Sequence, residues 1–169
     1  MFAAAIGNET AVRWLLMAGA DRHKTSRSSG TFALWQAAKN GHIEVMRLLM
    51  GITPRSECRH YRVQVDLATQ RATIWKDDVV LLTTDISSGR ASKPTPPGRY
   101  LVTDKYRDWK STIYPARMPY FLRLSCANFG LHAGVIPGYP ASHGCVRLPE
   151  ENAKKLYATL PIGTEVEIR

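Results

Sequence analysis

Residues 1–51 repeat themselves at an interval of 33, and that period restricts the amino-terminal part of the chain to a stack of small helical units. Displaced by 33 positions, Ala4 falls on Ala37, Ala5 on Ala38, Val12 on Val45, and Leu15-Leu16-Met17 on Leu48-Leu49-Met50. Such units bury their apolar faces by stacking on neighbours rather than alone. The pattern breaks at Thr53-Pro54, a local boundary signal. Everything beyond it has a different rhythm and must be read separately.

The second copy resembles an ankyrin repeat in its own right. Gly30, Leu34, Ala37-Ala38, Gly41-His42, Val45 and Leu48-Leu49 stand where that family has its glycine turn, first helix, inter-helix loop and second helix. Gly41 is expected to supply the tight turn, with Ile43, Val45, Met46 and Leu49 on the buried face of the second helix. His42 is then a structural turn residue, not a ligand. Trp35 and Ala33 replace the family's His and Pro, so the turn before the first helix is expected to be looser. The resemblance implies an all-α segment at 1–51 of about one and a half repeats, a linker at 52–58, a second domain at 59–169, and a protein partner for the helical segment.

Composition narrows what that second domain does. With 44% hydrophobic and 22% charged residues among 169, the chain is neither disordered nor fibrous. Its net charge of +9 admits an anionic partner. The excess is spread, with 6 basic and 3 acidic residues up to Pro54 and 17 and 11 after it. No basic stripe or aromatic platform marks a nucleic-acid binder. No apolar run reaches the roughly 20 residues of a membrane-spanning helix. Ala11 to Ala20 imitates an export signal, but no Lys or Arg precedes it and Arg13 interrupts it. Three cysteines, an odd number, leave at least one thiol free.

From Tyr61 onward the period is that of strands. Tyr61, Val63, Val65 and Leu67 alternate with polar residues, and Ala72 to Trp75 follows a short turn, which predicts a hairpin. Val79 to Ile86, Arg99 to Thr103, Met118 to Leu124 and Gly130 to Ala133 read as further strands, with a closing strand at Val166 and Ile168. The proline-rich stretch Lys93 to Gly98 interrupts any ladder. One helix is expected from Pro149, burying Ala153, Leu156, Tyr157 and Leu160 on one stripe. The fold class is α+β, a β-rich sandwich with one packed helix behind a short all-α segment.

The chemistry-bearing residues cluster in Leu131-His132-Ala133 and Ser142-His143-Gly144-Cys145-Val146-Arg147-Leu148. A neighbouring histidine either lowers a thiol's pKa or accepts its proton during attack. Gly144 lets the backbone approach a substrate closely, so the amides of Gly144 and Cys145 are candidate oxyanion donors. Zinc held by Cys126, His132, His143 and Cys145 lacks the usual short ligand pairs, and no cofactor is expected. Cys58 and Cys126 carry no motif. Trp109 and Tyr120 are candidates for the groove or for packing.

These strings resemble the signature of the L,D-transpeptidase catalytic domain, the YkuD family: a His, then after about ten residues Ser/Thr-His-Gly-Cys, an apolar residue, and Arg or Asn. Ser87-Ser88-Gly89, Thr95-Pro96-Pro97-Gly98, Met118-Pro119-Tyr120 and Gly163-Thr164 also stand in the family's order, while Ala133 departs from the Gly or Ser found in many members. The resemblance implies acyl transfer on peptidoglycan stem peptides, with Cys145 as nucleophile, His132 as base, Gly144 as a backbone oxyanion donor, and His143 shaping the loop or taking the proton. Arg147, Ser142 and Tyr120 are the implied substrate-binding residues. Crosslinking, L,D-carboxypeptidase action with water as acceptor, and a non-catalytic ankyrin scaffold are the alternative outcomes. The family's place in the cell envelope is set against a cytoplasmic location for a chain showing no export signal.

Overall fold

In residues 1–56 the helices come in two pairs, α1 (Phe2–Ala5) with α2 (Glu9–Met17) and α3 (Ala33–Lys39) with α4 (Ile43–Leu49). The computed structural model describes residues 1–26, 32–111 and 116–169, and Gly30, the expected glycine turn, lies outside them. Equivalent positions of the two copies are buried alike: Ala4 and Ala37, Val12 and Val45. Asn8 caps α2 by accepting the Ala11 N–H. Gly41, with φ of +71°, makes the turn into α4, whose Ile43, Val45, Met46 and Leu49 are all buried. The His42 ring lies beside the backbone carbonyl of Ala5, Nε2 to O 3.0 Å. A Cβ on Gly7 would collide with that ring, so the histidine locks one copy's turn against the other's.

Residues 57–169 form the second unit. Its strands are β1 (Tyr61–Asp66), β2 (Arg71–Lys76), β3 (Val79–Asp85), β4 (Gly98–Lys110), β5 (Arg117–Leu124), β6 (Gly130–Ala133), β7 (Val146–Leu148) and β8 (Glu165–Ile168), with α5 (Glu150–Thr159) before the last. They run in the order β3-β2-β1-β8-β4-β5-β6-β7. The pairs β1–β8 and β6–β7 are parallel, and the rest are antiparallel. Two expectations need correction. The strand expected at Arg99 to Thr103 extends to Lys110, and its two ends serve different neighbours, Gly98–Leu101 pairing with β8 and the rest with β5. The strand at Val166 does not close an edge but sits between β1 and β4.

The sheet curls around α5. The helix lies on β5 and β6, yet Asn152 also donates to Thr84 of β3 and Lys105 of β4 donates to the Leu160 carbonyl. Strands so distant in the order can touch one helix only if the sheet bends over it. The two edges then meet, because Ser87, just past β3, exchanges both backbone hydrogen bonds with Arg147 of β7. Ala153, Leu156 and Leu160 join Val63, Val65, Leu122, Leu124 and Leu131 in the enclosed core, and Tyr157 is only half-buried. Pro149 stands just before the helix as its cap residue. No helix among the described residues is long and apolar enough to cross a membrane.

Candidate active site

The meeting of the two sheet edges assembles the site. Leu131, His132 and Ala133 of β6 pair in parallel with Val146, Arg147 and Leu148 of β7. Extending that register by one step sets Cys145 opposite Gly130, whose backbone N–H donates to the thiol. Cys145 and His132 therefore occupy the same face of the sheet, two positions apart along it. A Cβ at Gly130 would lie 2.1 Å from the Leu122 carbonyl oxygen, so this close passage of backbone admits only glycine.

His132 is 7% exposed. Its Nδ1 lies 2.7 Å from the Ala133 carbonyl, which only a protonated nitrogen can satisfy. That fixes the tautomer and leaves Nε2 with its lone pair. The Phe121 ring, 6.3 Å away between centroids, walls off one side. Burial above all, and Arg147 secondarily, lower the His132 pKa to about 4 against the pull of the Ala133 carbonyl. Burial pushes the Cys145 thiol up, while the Gly130 N–H and Arg147 draw it back. A neutral imidazole and a neutral thiol on one sheet face fit proton transfer during attack better than a preformed ion pair.

Both side chains open into a cavity of about 400 Å³. Lys93, Ser142, His143, Gly144, Arg147, Met118, Phe129 and Asn128 also line it, and among the described residues no carboxylate does. His143 is exposed at the rim, where desolvation and then Arg90, Arg147 and Lys93 lower its pKa. The wall is therefore cationic and receptive to an anionic group.

The loop ahead of Cys145 is held by its own polar groups. Ser142 donates its N–H to Ser88 O and accepts from Arg90 N–H through its carbonyl. Its hydroxyl takes the Gly144 N–H at 3.1 Å and donates to the Cys145 carbonyl. Gln70 grips Ser88 through both amide atoms, and Ser87 Oγ bonds the Tyr139 carbonyl and the Ala141 N–H.

Several sequence expectations change here. The Gly144 N–H, expected at the oxyanion, donates to Ser142 Oγ in this structure. The Ser142 hydroxyl, expected at the substrate, is committed inside the loop as donor and acceptor. Tyr120 does not line this cavity: its ring stands 5.8 Å from that of Tyr157 on α5, and it borders a different depression. Trp109 stacks with Phe121 and packs at a tilt against Tyr106. Among the described residues no group of three or more His, Cys, Asp or Glu could hold a metal ion. One supporting residue escaped the sequence reading. Thr95 is 2% exposed and reaches Gly144 and Gly89; its sequence signal was the Thr95-Pro96-Pro97-Gly98 string in the family's order, which gave it no role.

Comparison with known proteins agrees with this architecture. A curated Bacillus subtilis protein assigned to the L,D-transpeptidases, YkuD, is 26% identical over 111 residues, covering 64% of this chain and 65% of its own. The chain thus spans somewhat under two thirds of the length of that relative. An Enterococcus faecium L,D-transpeptidase, solved as a Cys-to-Ser variant, is 28% identical with a TM-score of 0.58, over 65% of this chain and 50% of its own. An L,D-transpeptidase from Mycobacterium smegmatis shares the fold at 20% identity and a TM-score of 0.61, over 65% of this chain and 58% of its own. An ankyrin-repeat model of three copies matches residues 1–74, its tail running onto β1 and β2 of the sheet. The L,D-transpeptidase catalytic-domain model matches residues 60–168, and the chain belongs to that family.

Proposed function

We propose that the chain is a cysteine acyltransferase acting on peptidoglycan stem peptides. The observation that carries this reading is the half-buried Cys145 on the same sheet face as a buried His132 whose Nδ1 is tied to the Ala133 carbonyl, both opening into one cavity. Cys145 Sγ attacks the carbonyl carbon of an L-centre residue in its amide bond to a terminal D-amino acid, and the thiol proton passes to His132 Nε2. The tetrahedral oxyanion takes a hydrogen bond from the Cys145 N–H. It collapses as the C–N bond breaks, and the imidazolium returns the proton to the leaving amine. An acceptor amine then attacks the thioester, yielding a new amide and the free thiol. Water in the amine's place makes the same intermediate a carboxypeptidase. Arg147 and Lys93, with no carboxylate in the cavity wall, favour a donor that ends in a carboxylate.

The amino-terminal helical unit supplies protein contact in this reading, presenting exposed Phe2, Trp14 and Met17. Its substrate places the enzyme's work at the cell envelope. Two of the similar solved L,D-transpeptidases hold imipenem or a faropenem-derived adduct, which recommends a carbapenem as probe. Incubation with imipenem should add its mass at Cys145 and leave Cys145→Ala unmodified. A disaccharide tetrapeptide, supplied with and without a second amine, then separates transfer from hydrolysis. A parent protein that takes up no carbapenem at any concentration would favour a scaffold over an enzyme.

A further inference from the structure

We infer that Thr95 is a positioning residue for the oxyanion donor, acting by setting the plane of the Gly144–Cys145 peptide; the inference rests on the acyl-transfer reading. The donors and acceptors of residues 142 to 145 are nearly all committed. The Gly144 N–H goes to Ser142 Oγ, the Cys145 carbonyl accepts from Ser142 Oγ, and the Gly144 carbonyl accepts from Thr95 Oγ1 at 2.9 Å. The Cys145 N–H is bonded to none of them.

Carbonyl and N–H of one trans peptide point in opposite directions. Thr95 is buried and does not line the cavity, although Pro94 and Pro96 on either side of it do. Drawing the Gly144 carbonyl towards Thr95 therefore turns the Cys145 N–H the other way, into the cavity beside the thiol. Gly144 itself, with φ of +114°, has the backbone freedom to follow either orientation, so the peptide plane needs an external restraint.

The hydroxyl is itself aimed. Thr95 Oγ1 accepts the Gly89 N–H at 2.8 Å, which leaves its single proton for the Gly144 carbonyl. The Cys145 carbonyl is a longer 3.4 Å away and already served by Ser142. Gly89 brings Thr95 this close because a Cβ there would sit 2.2 Å from the Lys93 carbonyl and 2.5 Å from the Thr95 nitrogen. A single buried hydroxyl thus links the Gly89 segment to the peptide that bears the nucleophile.

The test compares two reactions of the same thiol in the full chain. Acylation by imipenem passes through a tetrahedral oxyanion, whereas alkylation by iodoacetamide displaces iodide and develops none. Both are read at Cys145 by peptide mass spectrometry. Thr95→Val, which keeps the shape and loses the hydroxyl, should slow acylation by about 10 to 10²-fold, short of the 10² to 10³ for deleting an oxyanion donor outright. Alkylation should stay within about two-fold of the parent at each pH, and Thr95→Ser should restore acylation, as expected if one hydroxyl proton is what matters. A Thr95→Val protein that acylates like the parent would overturn the inference. So would parallel loss of both reactions in Thr95→Val and Thr95→Ser alike, which marks a packing role. If the parent itself alkylates normally but ignores imipenem, the acyl-transfer reading fails, and the role of Thr95 fails with it.

Discussion

His132 shows how a residue's surroundings choose between two chemistries that its identity leaves open. Its lowered pKa means the proton-accepting form is half populated at about pH 4 and predominates well below neutrality. The acylation rate should accordingly rise through about pH 4, not through the 6.5 of an ordinary imidazole, and stay level to neutrality. His132→Gln should slow acylation by about 10² to 10⁴ across that plateau. An acid limb near 6.5 in stopped-flow acylation would contradict the buried neutral pair. Stability carries the same signature with a definite sign. The unfolded chain takes up the histidine's proton below about 6.5 and the folded chain only near 4, so stability falls as pH drops through that window. The sequence singled out Cys145 and His132 as candidates because a motif names residue types. It could not assign the amides, since whether Gly144 N–H meets substrate or Ser142 depends on the loop's dihedrals.

At the scale of elements, the site belongs to the β6–β7 junction. β7 escaped the strand reading because it has three residues, Val146 to Leu148, too few for alternation to register. Its burial does alternate, Val146 and Leu148 facing inward and Arg147 towards the cavity. β6 was legible from Gly130 to Ala133, but not why it begins with glycine. Gly130→Ala forces a Cβ against the Leu122 carbonyl, where backbone and not a yielding side chain must move. It should cost about 3 kcal/mol, near the upper end of overpacking penalties, and denaturant unfolding should show the lowered midpoint. An unchanged midpoint would mean that β5 and β6 separate freely, against the close pairing of Leu122 with Leu131. The hairpin β1–β2, by contrast, was readable outright, because its neighbours in sequence are its neighbours in space.

The whole molecule divides its tasks between its two units. Every side chain placed at the cavity, and every group bracing it, from Gln70 to Arg147, lies within Glu57–Arg169. Limited proteolysis in the stretch from Gly51 to Ser56 should therefore release a fragment that still takes up imipenem at Cys145 at the parent's rate. A fragment that folds but cannot be acylated would assign residues 1–56 a part in the chemistry. Strand order was the least legible level of all. Pairings such as β1 with β8 join residues about a hundred positions apart, and periodicity carries no information over that distance. The placement of β8 also sets the timing of synthesis. Residues 165–168 fill the gap between β1 and β4, so that seam stays open while those residues are still inside the ribosome, and only the Ser87–Arg147 edges can link the two halves. Until residue 168 emerges, Cys145 has been translated but β1 and β4 have no strand between them. The loop that holds Cys145 is thus translated before the strand that ties β1 to β4, and its place in the finished sheet waits on residues 165–168.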